Sequence, residues 1–312
     1  MKNSIAIWLE FKIKFLNDCE FPKWKGDILR GSLGYVLKSS FCTTGLNNCF
    51  ICPMNLACPY GFIFRNNKTR PRGFVRNLKY FSKPYVIKPP LETKTKYYKK
   101  DSMTFSIVLF SEAMKFSFDV VNAIKILGTK GMGRKGKQGK FIVEEILSKN
   151  PFRNNKEVFW EENEFKDVKN FIVSDDLKKR ITKRFFIKFL TPYQLIKNKT
   201  IRVISSFSDI FPFILRKYTN ILRSYTTYNP RIDIEEVKEF YEYEVSLVNK
   251  FNERSVKFVY KNEEQLFFLG EYFFKANKKL PKIVNEALNF GVLSNIGKKS
   301  VFGFGWYDLN RF

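Results

Sequence analysis

The chain closes with the stretch Gly291-Val-Leu-Ser-Asn-Ile-Gly-Lys-Lys-Ser-Val-Phe-Gly-Phe-Gly-Trp-Tyr307, a loop of glycine, lysine and aromatic residues that runs into a strand-like ending. Within it, residues 297–303 have the order Gly, two cations, three residues, Gly, and residues 133–139 repeat that order. Each loop follows an amphipathic helical pattern, at 280–290 and at 112–127, and precedes a β-rich segment. Two similar endings in one chain predict two similar domains.

The order of elements in each half supports the same prediction. Apolar residues alternate with mostly polar ones from Ile5 to Phe15, which indicates a half-buried strand, and residues 27–40 then have a helical pattern. Both halves continue with one or more strands, a helix, the glycine-rich loop and a final strand. This alternation is typical of a ferredoxin-like βαββαβ unit, the platform of RNA-recognition modules.

We therefore predict an α+β fold with two tandem ferredoxin-like (RRM-like) domains. The first spans residues 1–150 and carries a cysteine-rich insertion near 42–60. The most acidic part of the chain, residues 151–180, is predicted to connect it to the second domain, residues 181–312. Residues 65–101 are rich in Lys, Arg, Pro and Tyr and are predicted to form extended loops with short strands.

The charge of the chain favours a polyanionic partner. Lys and Arg number 56 against 30 Asp and Glu, giving a formal net charge of +26. Nucleic acid is the first candidate and an anionic membrane surface the second. An AT-rich genome would also raise the Lys content, but Asp and Glu normally rise with it, and here they do not.

The expected location is the cytoplasm, with no membrane partner. No apolar run approaches the ~20 residues needed to span a bilayer. The first sixteen residues carry Glu10, Lys12 and Lys14 within their apolar pattern, which indicates a strand and not a signal peptide. Five cysteines without a secretory signal are typical of a reducing compartment.

The two glycine and lysine loops are the first candidate binding elements. Glycines let a backbone approach a polyanion and expose N–H groups, while cations attract phosphates regardless of sequence. A basic surface hairpin without function is the alternative, although it explains a matched pair less well. Neither loop has the spacing of a nucleotide P-loop. The predicted RNA-binding residues of the loops and their flanks are Lys130, Arg134, Lys135, Lys137, Lys140, Asn295, Gly297 and Lys299.

Cys42, Cys49, Cys52 and Cys58 form the second constellation. Four thiols within seventeen residues, two of them in a Cys-x-x-Cys, are enough for a closed tetrahedral zinc site. We predict a structural zinc ion that stabilises an insertion with few apolar residues. An iron–sulfur cluster is the alternative metal centre, and four unrelated cysteines are the other alternative.

The third constellation is the predicted helix face with Arg30, Gly34 and Lys38 at i, i+4 and i+8, beside Tyr35. A bare glycine between two cations would admit a phosphate backbone against the helix, so Arg30 is also a predicted RNA-binding residue. The alternative is a solvated basic face, with Gly31 and Gly34 packed against the sheet.

Histidine is absent from the chain. Its absence excludes the usual general base at neutral pH, the usual catalytic triads and every metal site that contains His. Any catalysis must use Lys, Tyr, Arg, carboxylate or Cys side chains.

Several motifs, taken in order, resemble the CRISPR repeat-processing endoribonucleases of the RAMP superfamily. They are Leu29-Arg-Gly-Ser-Leu-Gly34, the four-cysteine stretch ending Cys58-Pro-Tyr60, the mid-chain basic loop, Phe189-Leu-Thr-Pro192 and the closing Ile296-Gly-Lys-Lys-Ser-Val-Phe-Gly-Phe-Gly305. The resemblance implies two ferredoxin-like domains facing each other across a basic cleft. It also implies binding of repeat RNA and metal-independent cleavage, in which the 2′-hydroxyl attacks the adjacent phosphate and leaves a 2′,3′-cyclic phosphate.

The chain departs from this family in one respect. Many members use a catalytic His, and many carry one just before Ile-Gly-Lys, where this chain has Asn295. Some relatives lack the His and still cut RNA. Positioning, charge neutralisation and a Tyr or Lys proton carrier can promote in-line attack. We therefore predict Tyr35, Lys38 and Lys298 as the catalytic residues, with no cofactor for catalysis.

Two other functions stay open at the level of sequence. One is a catalytically inactive subunit that holds repeat RNA or guide RNA among the other subunits of a CRISPR effector complex, which the lack of His favours. The weaker one is a zinc-bearing DNA-binding regulator, although no recognition helix stands out.

Overall fold

The computed structural model describes residues 4–65, 82–167, 170–226, 232–260 and 263–311. Residues 66–81, part of the stretch predicted as extended loops, lie outside the described residues. The chain forms two compact units. The first is Met1–Ile172 with Arg223–Thr226, and the second is Val173–Leu222 with Thr227–Phe312.

The first unit alternates strands and helices. In chain order its elements are β1 (Ser4–Phe15), β2 (Cys19–Glu20), α1 (Gly26–Phe41), α2 (Pro59–Arg65), β3 (Tyr85–Lys88), β4 (Lys96–Tyr97), β5 (Ser102–Phe110), a 3₁₀ helix (Ser111–Phe116), α3 (Ser117–Lys130), β6 (Met132–Arg134), β7 (Lys137–Gly139), β8 (Phe141–Asn150), β9 (Asn155–Glu161) and β10 (Glu164–Phe165).

Strand β1 occupies the middle of the first unit's main sheet. The strand order is β10-β9-β8-β1-β5-β3, and each neighbouring pair is antiparallel. Leu9 pairs with Ile107 on β5, and Phe11 pairs with Ile146 on β8. Burial of such apolar side chains stabilises the fold by about 1.5–3 kcal/mol each. The alternating pattern of 5–15 thus gives the central strand.

Helices α1 and α3 pack against each other, and each buries a row of apolar side chains. Their buried side chains recur at helical spacing, so each helix has one apolar stripe. These residues are Leu29, Leu33, Val36 and Leu37 on α1, and Val120, Val121, Ile124 and Leu127 on α3. Burial of this stripe leaves the polar face of α1, with Arg30 and Lys38, for other contacts.

The acidic stretch predicted as a connector begins with ordered structure. Strand β9 pairs with β8, and β10 pairs with β9, so both extend the edge of the first unit's sheet. A short strand β11 (Ile172–Val173) and helix α4 (Ser174–Leu177) follow at the division between the units.

The second unit also mixes helices with antiparallel strands. Its further elements are β12 (Arg184–Phe189), β13 (Leu195–Lys197), β14 (Thr200–Arg202), α5 (Phe207–Tyr225), α6 (Ile234–Tyr243), β15 (Val245–Tyr260), β16 (Glu263–Ala276), α7 (Lys282–Ser294), a 3₁₀ helix (Ser300–Phe302) and β17 (Tyr307–Arg311). The last residues of α5 belong to the first unit.

The four-stranded sheet of this unit has the order β15-β16-β12-β17, with every neighbouring pair antiparallel. Phe186 on β12 pairs with Phe273 and Asn310 on either side. Both units therefore combine helices with antiparallel sheets, and the predicted α+β class is confirmed.

The two ends of the closing stretch meet in this unit. Tyr307 is fully buried and donates from its hydroxyl to the Leu288 carbonyl at 2.7 Å. A Cβ built on Gly291 would lie 1.9 Å from that hydroxyl oxygen, so only glycine leaves room for the tyrosine. This contact fixes the start of the final strand against α7.

Helix α7 also anchors the chain that enters the second unit. Buried Asn289 donates to the carbonyls of Leu177 and Lys179 at 2.8 and 2.7 Å. Asn285 accepts from the Ile181 N–H at 2.8 Å. These amides therefore bind backbone groups of the segment that joins α4 to β12.

Candidate nucleic-acid interface

A cavity of about 620 Å³ opens beside α1 in the first unit. The predicted residues Arg30, Tyr35 and Lys38 all line it. The other lining residues are Gly31, Gly34, Ser39, Cys42, Gly45, Tyr60, Phe64 and Arg65. None of the described residues that line this cavity carries a carboxylate. The cavity is therefore a cationic and aromatic site, which suits a polyanion with rings.

Lys130, predicted as an RNA-binding residue, joins the same neighbourhood from the end of α3. Its ammonium lies 5.3 Å from the centroid of the Tyr35 ring and 3.5 Å from Ser39 Oγ. The Tyr35 side chain is 65% exposed, so its hydroxyl can reach a bound molecule. The packing of α1 against α3 thus brings together four predicted residues that the sequence spreads over a hundred positions.

The two glycines of α1 have different surroundings. A Cβ on Gly34 would lie 2.9 Å from Phe64 Cε1, so Gly34 gives space to an aromatic ring of α2. A Cβ on Gly31 would have no heavy atom within 4 Å. The packing partner of Gly34 is therefore α2 and not the sheet, and Gly31 leaves open space at the cavity.

Helix α2 supplies cavity residues that sequence reasoning missed. Its first residue, Pro59, is pre-organised for a helix start, and Phe62, Ile63 and Phe64 that follow are buried. The proline and this apolar run were the available signal, although they begin at the end of the predicted cysteine-rich insertion.

Three aromatic and cationic side chains form the α2 side of the cavity. The Tyr60 and Phe64 rings are stacked, with centroids 5.5 Å apart. Arg65 Nε donates to the Tyr60 hydroxyl at 3.5 Å. The Arg30 guanidinium carbon lies 5.2 Å from the centroid of Phe64, on the α1 side. Cationic and aromatic side chains from the two helices therefore contact one another.

A further cation stands close to this group. Burial lowers the pKa of the Lys83 ammonium, and the neighbouring charges of Arg65 and Arg30 lower that pKa further. The Lys83 ammonium therefore lies within the field of both guanidinium groups, which disfavours its charged form.

The first glycine and lysine loop is a hairpin. Strands β6 and β7 pair from Met132–Gly139 to Arg134–Lys137, so the turn lies at Lys135 and Gly136. The predicted cations Arg134, Lys135, Lys137 and Lys140 are all exposed. Lys137 forms an ion pair with Glu20 at 2.7 Å, which offsets part of its charge.

The second loop has a buried centre and an exposed rim. Asn295 is fully buried, and its Nδ2 donates to the Ser300 carbonyl at 3.0 Å. Gly297 has a φ of +80°, and a Cβ there would lie 2.5 Å from the Gln194 carbonyl oxygen. Lys298 is exposed and Lys299 is half-buried. An RNA contact through the Asn295 amide would thus require the loop to open, whereas Lys298 is accessible as the loop stands.

A further cation near this loop, Lys217 on α5, was not predicted from the sequence. Its Nζ donates to Ser300 Oγ at 3.2 Å, and burial lowers its pKa to about 8. The helical pattern of α5 gave no signal for it, because the loop lies more than eighty positions away. Lys298, Lys299 and Lys217 belong to the second unit, whereas Tyr35 and Lys38 belong to the first.

The four predicted zinc ligands line one small cavity of about 20 Å³. Thr44 Oγ1 lies 3.9 Å from Cys42 Sγ and 3.5 Å from Cys52 Sγ. Hydrogen bonds from the Gly45 and Thr44 backbone lower the pKa of Cys42, which favours the ligating thiolate. The donor chemistry suits zinc. However, no three metal-binding side chains form a metal site in the described ranges, so zinc stays a prediction.

No helix within the described ranges is both long and apolar enough to span a bilayer.

Protein-family models match both halves of the chain. A family model described as an N-terminal domain matches residues 5–171, and the model for the CRISPR-associated endoribonuclease Cas6 matches residues 187–307. The comparison with curated proteins finds no match.

Solved structures share the fold at low sequence identity. The Thermus thermophilus Cas6 product complex is 13% identical with a TM-score of 0.60, and covers 98% of this chain and 100% of its own. The same Cas6 solved separately is 12% identical with a TM-score of 0.56, over 98% and 99%. One chain of a partial Cas6-RT-Cas1–Cas2 complex is 10% identical with a TM-score of 0.57, over 99% of this chain and 46% of that one.

The family models, the shared fold and the cationic cavity on α1 agree with one another. Residues 187–307 therefore belong to the family of the CRISPR-associated endoribonuclease Cas6, and solved Cas6 structures share the fold of the whole chain.

Proposed function

We propose that this chain binds CRISPR repeat RNA and cuts precursor guide RNA without a metal ion. The observation that carries the proposal is the cavity shared by Arg30, Tyr35 and Lys38, whose described lining has no carboxylate. A cavity that neutralises phosphate charge and offers a proton-carrying hydroxyl has the groups that RNA transesterification needs.

The proposed reaction needs no external water in the cleavage step. The 2′-oxygen of one nucleotide forms a bond to the adjacent phosphorus while the bond from phosphorus to the 5′-oxygen breaks. The 2′-hydroxyl loses a proton and the leaving 5′-oxygen gains one. The products are a 2′,3′-cyclic phosphate and a 5′-hydroxyl.

The three predicted residues of the cavity each have a defined part in this reaction. The Lys38 ammonium stabilises the negative charge that develops on the phosphorane oxygens. The Tyr35 hydroxyl, exposed beside the Lys130 ammonium, carries a proton to or from the reacting oxygens. Arg30 holds the RNA backbone in line. Lys298 is retained as a proposed catalytic lysine of the second unit.

The remaining predicted cations are proposed to bind the RNA backbone. Arg134, Lys135 and Lys140 are exposed at the first loop, and Lys299 lies in the second. We add Lys217 to this group, because its ammonium lies against Ser300 of the second loop. Asn295 and Gly297 are proposed to shape that loop.

We also propose that both units are ferredoxin-like modules. Strand order β8-β1-β5-β3 in the first unit and β17-β12-β16-β15 in the second support this, since each places its last and first strands side by side. Guide RNA and other CRISPR effector subunits are the proposed partners, by family membership. Zinc, if present, is proposed to have a structural role at the cysteines and none in cleavage.

The test is cleavage of the host's own repeat RNA in EDTA. The expected products end in a 2′,3′-cyclic phosphate, and RNA with a 2′-deoxy nucleotide before the cut is expected to stay intact. Lys38→Met and Tyr35→Phe should slow cleavage about 10²-fold. Lys279→Met, which removes an exposed cation elsewhere, is the matched control.

The absence of histidine favours one alternative, a catalytically inactive subunit that binds repeat RNA. Tight binding without any cut at large enzyme excess would select this alternative. In that case Tyr35→Phe, Lys38→Ala and Lys298→Ala would leave the RNA intact, as the wild type does.

A further inference from the structure

Helix α2 forms the side of the cavity that faces α1, and the proposed chemistry leaves this side without a role. Tyr60 and Arg65 are its two polar side chains at the cavity. We propose that they form a subsite for one unpaired nucleotide next to the cut, with its base on Tyr60 and its phosphate between Arg65, Arg30 and Lys83. This inference rests on the proposed function.

The stacking surface is built before RNA binds. Tyr60 is half-buried and stacks on Phe64 with an angle of 11° between the rings. Phe64 in turn packs against fully buried Tyr85, with centroids 4.9 Å apart. Phe64 supports one face of the Tyr60 ring, so the exposed part of Tyr60 is available to a base. A ring held in this way loses little entropy when a base stacks on it.

The phosphate would be held by the cations around this platform. Arg65 is oriented by its hydrogen bond to the Tyr60 hydroxyl, and Arg30 lies over the Phe64 ring. Lys83 is close enough for both guanidinium charges to lower its pKa. A phosphate placed among the three would turn their repulsion into attraction.

The size of the cavity is consistent with one nucleotide. Pockets for small ligands have volumes of roughly 300–1,000 Å³, and this cavity has about 620 Å³. Because Lys38 and Tyr35 line the same cavity, the nucleotide in the subsite must lie close to the scissile phosphate.

This subsite would select RNA that is unpaired at this nucleotide and would select little for the identity of the base. An aromatic ring can stack on any base, but only on a base that is not inside a duplex. We therefore expect the repeat to be single-stranded at the nucleotide next to the cut.

The experiment combines single abasic positions in the repeat RNA with variants of Tyr60. RNA affinity and single-turnover cleavage are measured for wild type, Tyr60→Leu, Tyr60→Phe and Arg65→Gln. Tyr243→Leu removes an exposed aromatic side chain of the second unit and serves as the matched control.

One abasic position beside the cut is expected to weaken binding to wild type about tenfold. Tyr60→Leu should weaken binding of intact RNA by a similar factor and should make the protein insensitive to that abasic position. Tyr60→Phe should keep the sensitivity. Arg65→Gln should lower the slope of log affinity against log salt by about one. A duplex closed through that nucleotide should be cut much more slowly.

The inference is overturned if no abasic position beside the cut weakens binding to wild type, or if Tyr60→Leu behaves like Tyr243→Leu. If Tyr60→Leu does not fold, the inference is tested by the RNAs with single abasic positions, measured on wild type and on Tyr60→Phe. A wild type that neither binds nor cuts repeat RNA would overturn the proposed function itself. A wild type that cuts every abasic RNA equally would overturn the subsite alone.

Discussion

Asn295 and Ser300 close the C-terminal loop, because the buried Asn295 amide donates to the Ser300 carbonyl at 3.0 Å. The same Ser300 carbonyl accepts from the Gly303 N–H at 3.1 Å, and the Ser300 hydroxyl accepts from Lys217 at 3.2 Å. The Asn295 side chain thus holds this loop together.

Asn295→Asp should therefore destabilise the second unit by about 2 kcal/mol and weaken RNA binding. The carboxylate has nearly the size of the amide, but it has no N–H to donate and would face a carbonyl oxygen in a buried site. Denaturant unfolding and RNA titration measure the two effects. Asn47→Asp, an exposed position, is the control. Equal stability of the two variants would show that the contact contributes nothing.

RNA affinity should depend on the charge of Lys217. The pKa of this lysine is lowered to about 8 by burial, so the amine is charged at pH 7 and loses its charge as the pH rises through 8. A bound phosphate raises that pKa, and the fall in affinity should therefore be steepest at or above pH 8. Affinity measured from pH 7 to 9 should fall for wild type and stay flatter for Lys217→Met.

The control for this pH effect is Lys279→Met, which removes a charge but should keep the pH dependence of wild type. Folding stability should show the opposite trend. The folded pKa lies below the unfolded value of about 10.4, so the unfolded chain binds more protons between pH 8 and 10. The contribution of Lys217 to unfolding free energy should rise over that range and should be absent in Lys217→Met. A pH profile identical in the two proteins would contradict the assignment.

The two cavity glycines should respond differently to alanine. Gly31→Ala should stabilise the protein by about 0.5–1 kcal/mol, because alanine is the better helix former and its Cβ meets no atom within 4 Å. Gly34→Ala should destabilise it by about 1–3 kcal/mol, since its Cβ would press on the Phe64 ring. Thermal unfolding measures whether each variant is stabilised or destabilised. RNA cleavage measures whether displacement of the Phe64 ring changes activity.

If Gly34→Ala shifts Phe64, it should also weaken RNA binding, because the support of Tyr60 moves with that ring. Gly31→Ala should leave the position of Tyr60 unchanged. Two variants with the same stability and the same affinity would count against the close packing of α1 on α2.

The cysteine cluster should hold about one zinc ion per chain. Elemental analysis of protein purified without chelator measures the metal, and Cys52→Ser should remove it and lower the melting temperature. Cleavage in EDTA should persist wherever the protein remains folded, because the proposed chemistry uses no metal. A fully folded, metal-free wild type would refute the site.

Much of the architecture could be read from local pattern. The alternation at 5–15 predicted a strand, which is β1, and the helical spacing at 27–40 predicted α1. Strands β9 and β10 were harder, because their acidic composition is typical of a connector and their stability comes from pairing with β8. Helix α2 was missed because a seven-residue helix gives few turns of periodicity.

The sequence by itself determined the α+β class, the strong positive charge, an order of motifs that resembles a known family, and the absence of histidine. Tertiary structure alone decided which residues meet. It placed Lys130 beside Tyr35 and stacked Tyr60 on Phe64, the ring for which Gly34 leaves room. It also buried Asn295 and bonded its amide to the Ser300 carbonyl. The physical reason is that periodicity and charge are local properties, whereas a cavity is made by side chains that only the packing of helices and sheets brings within contact.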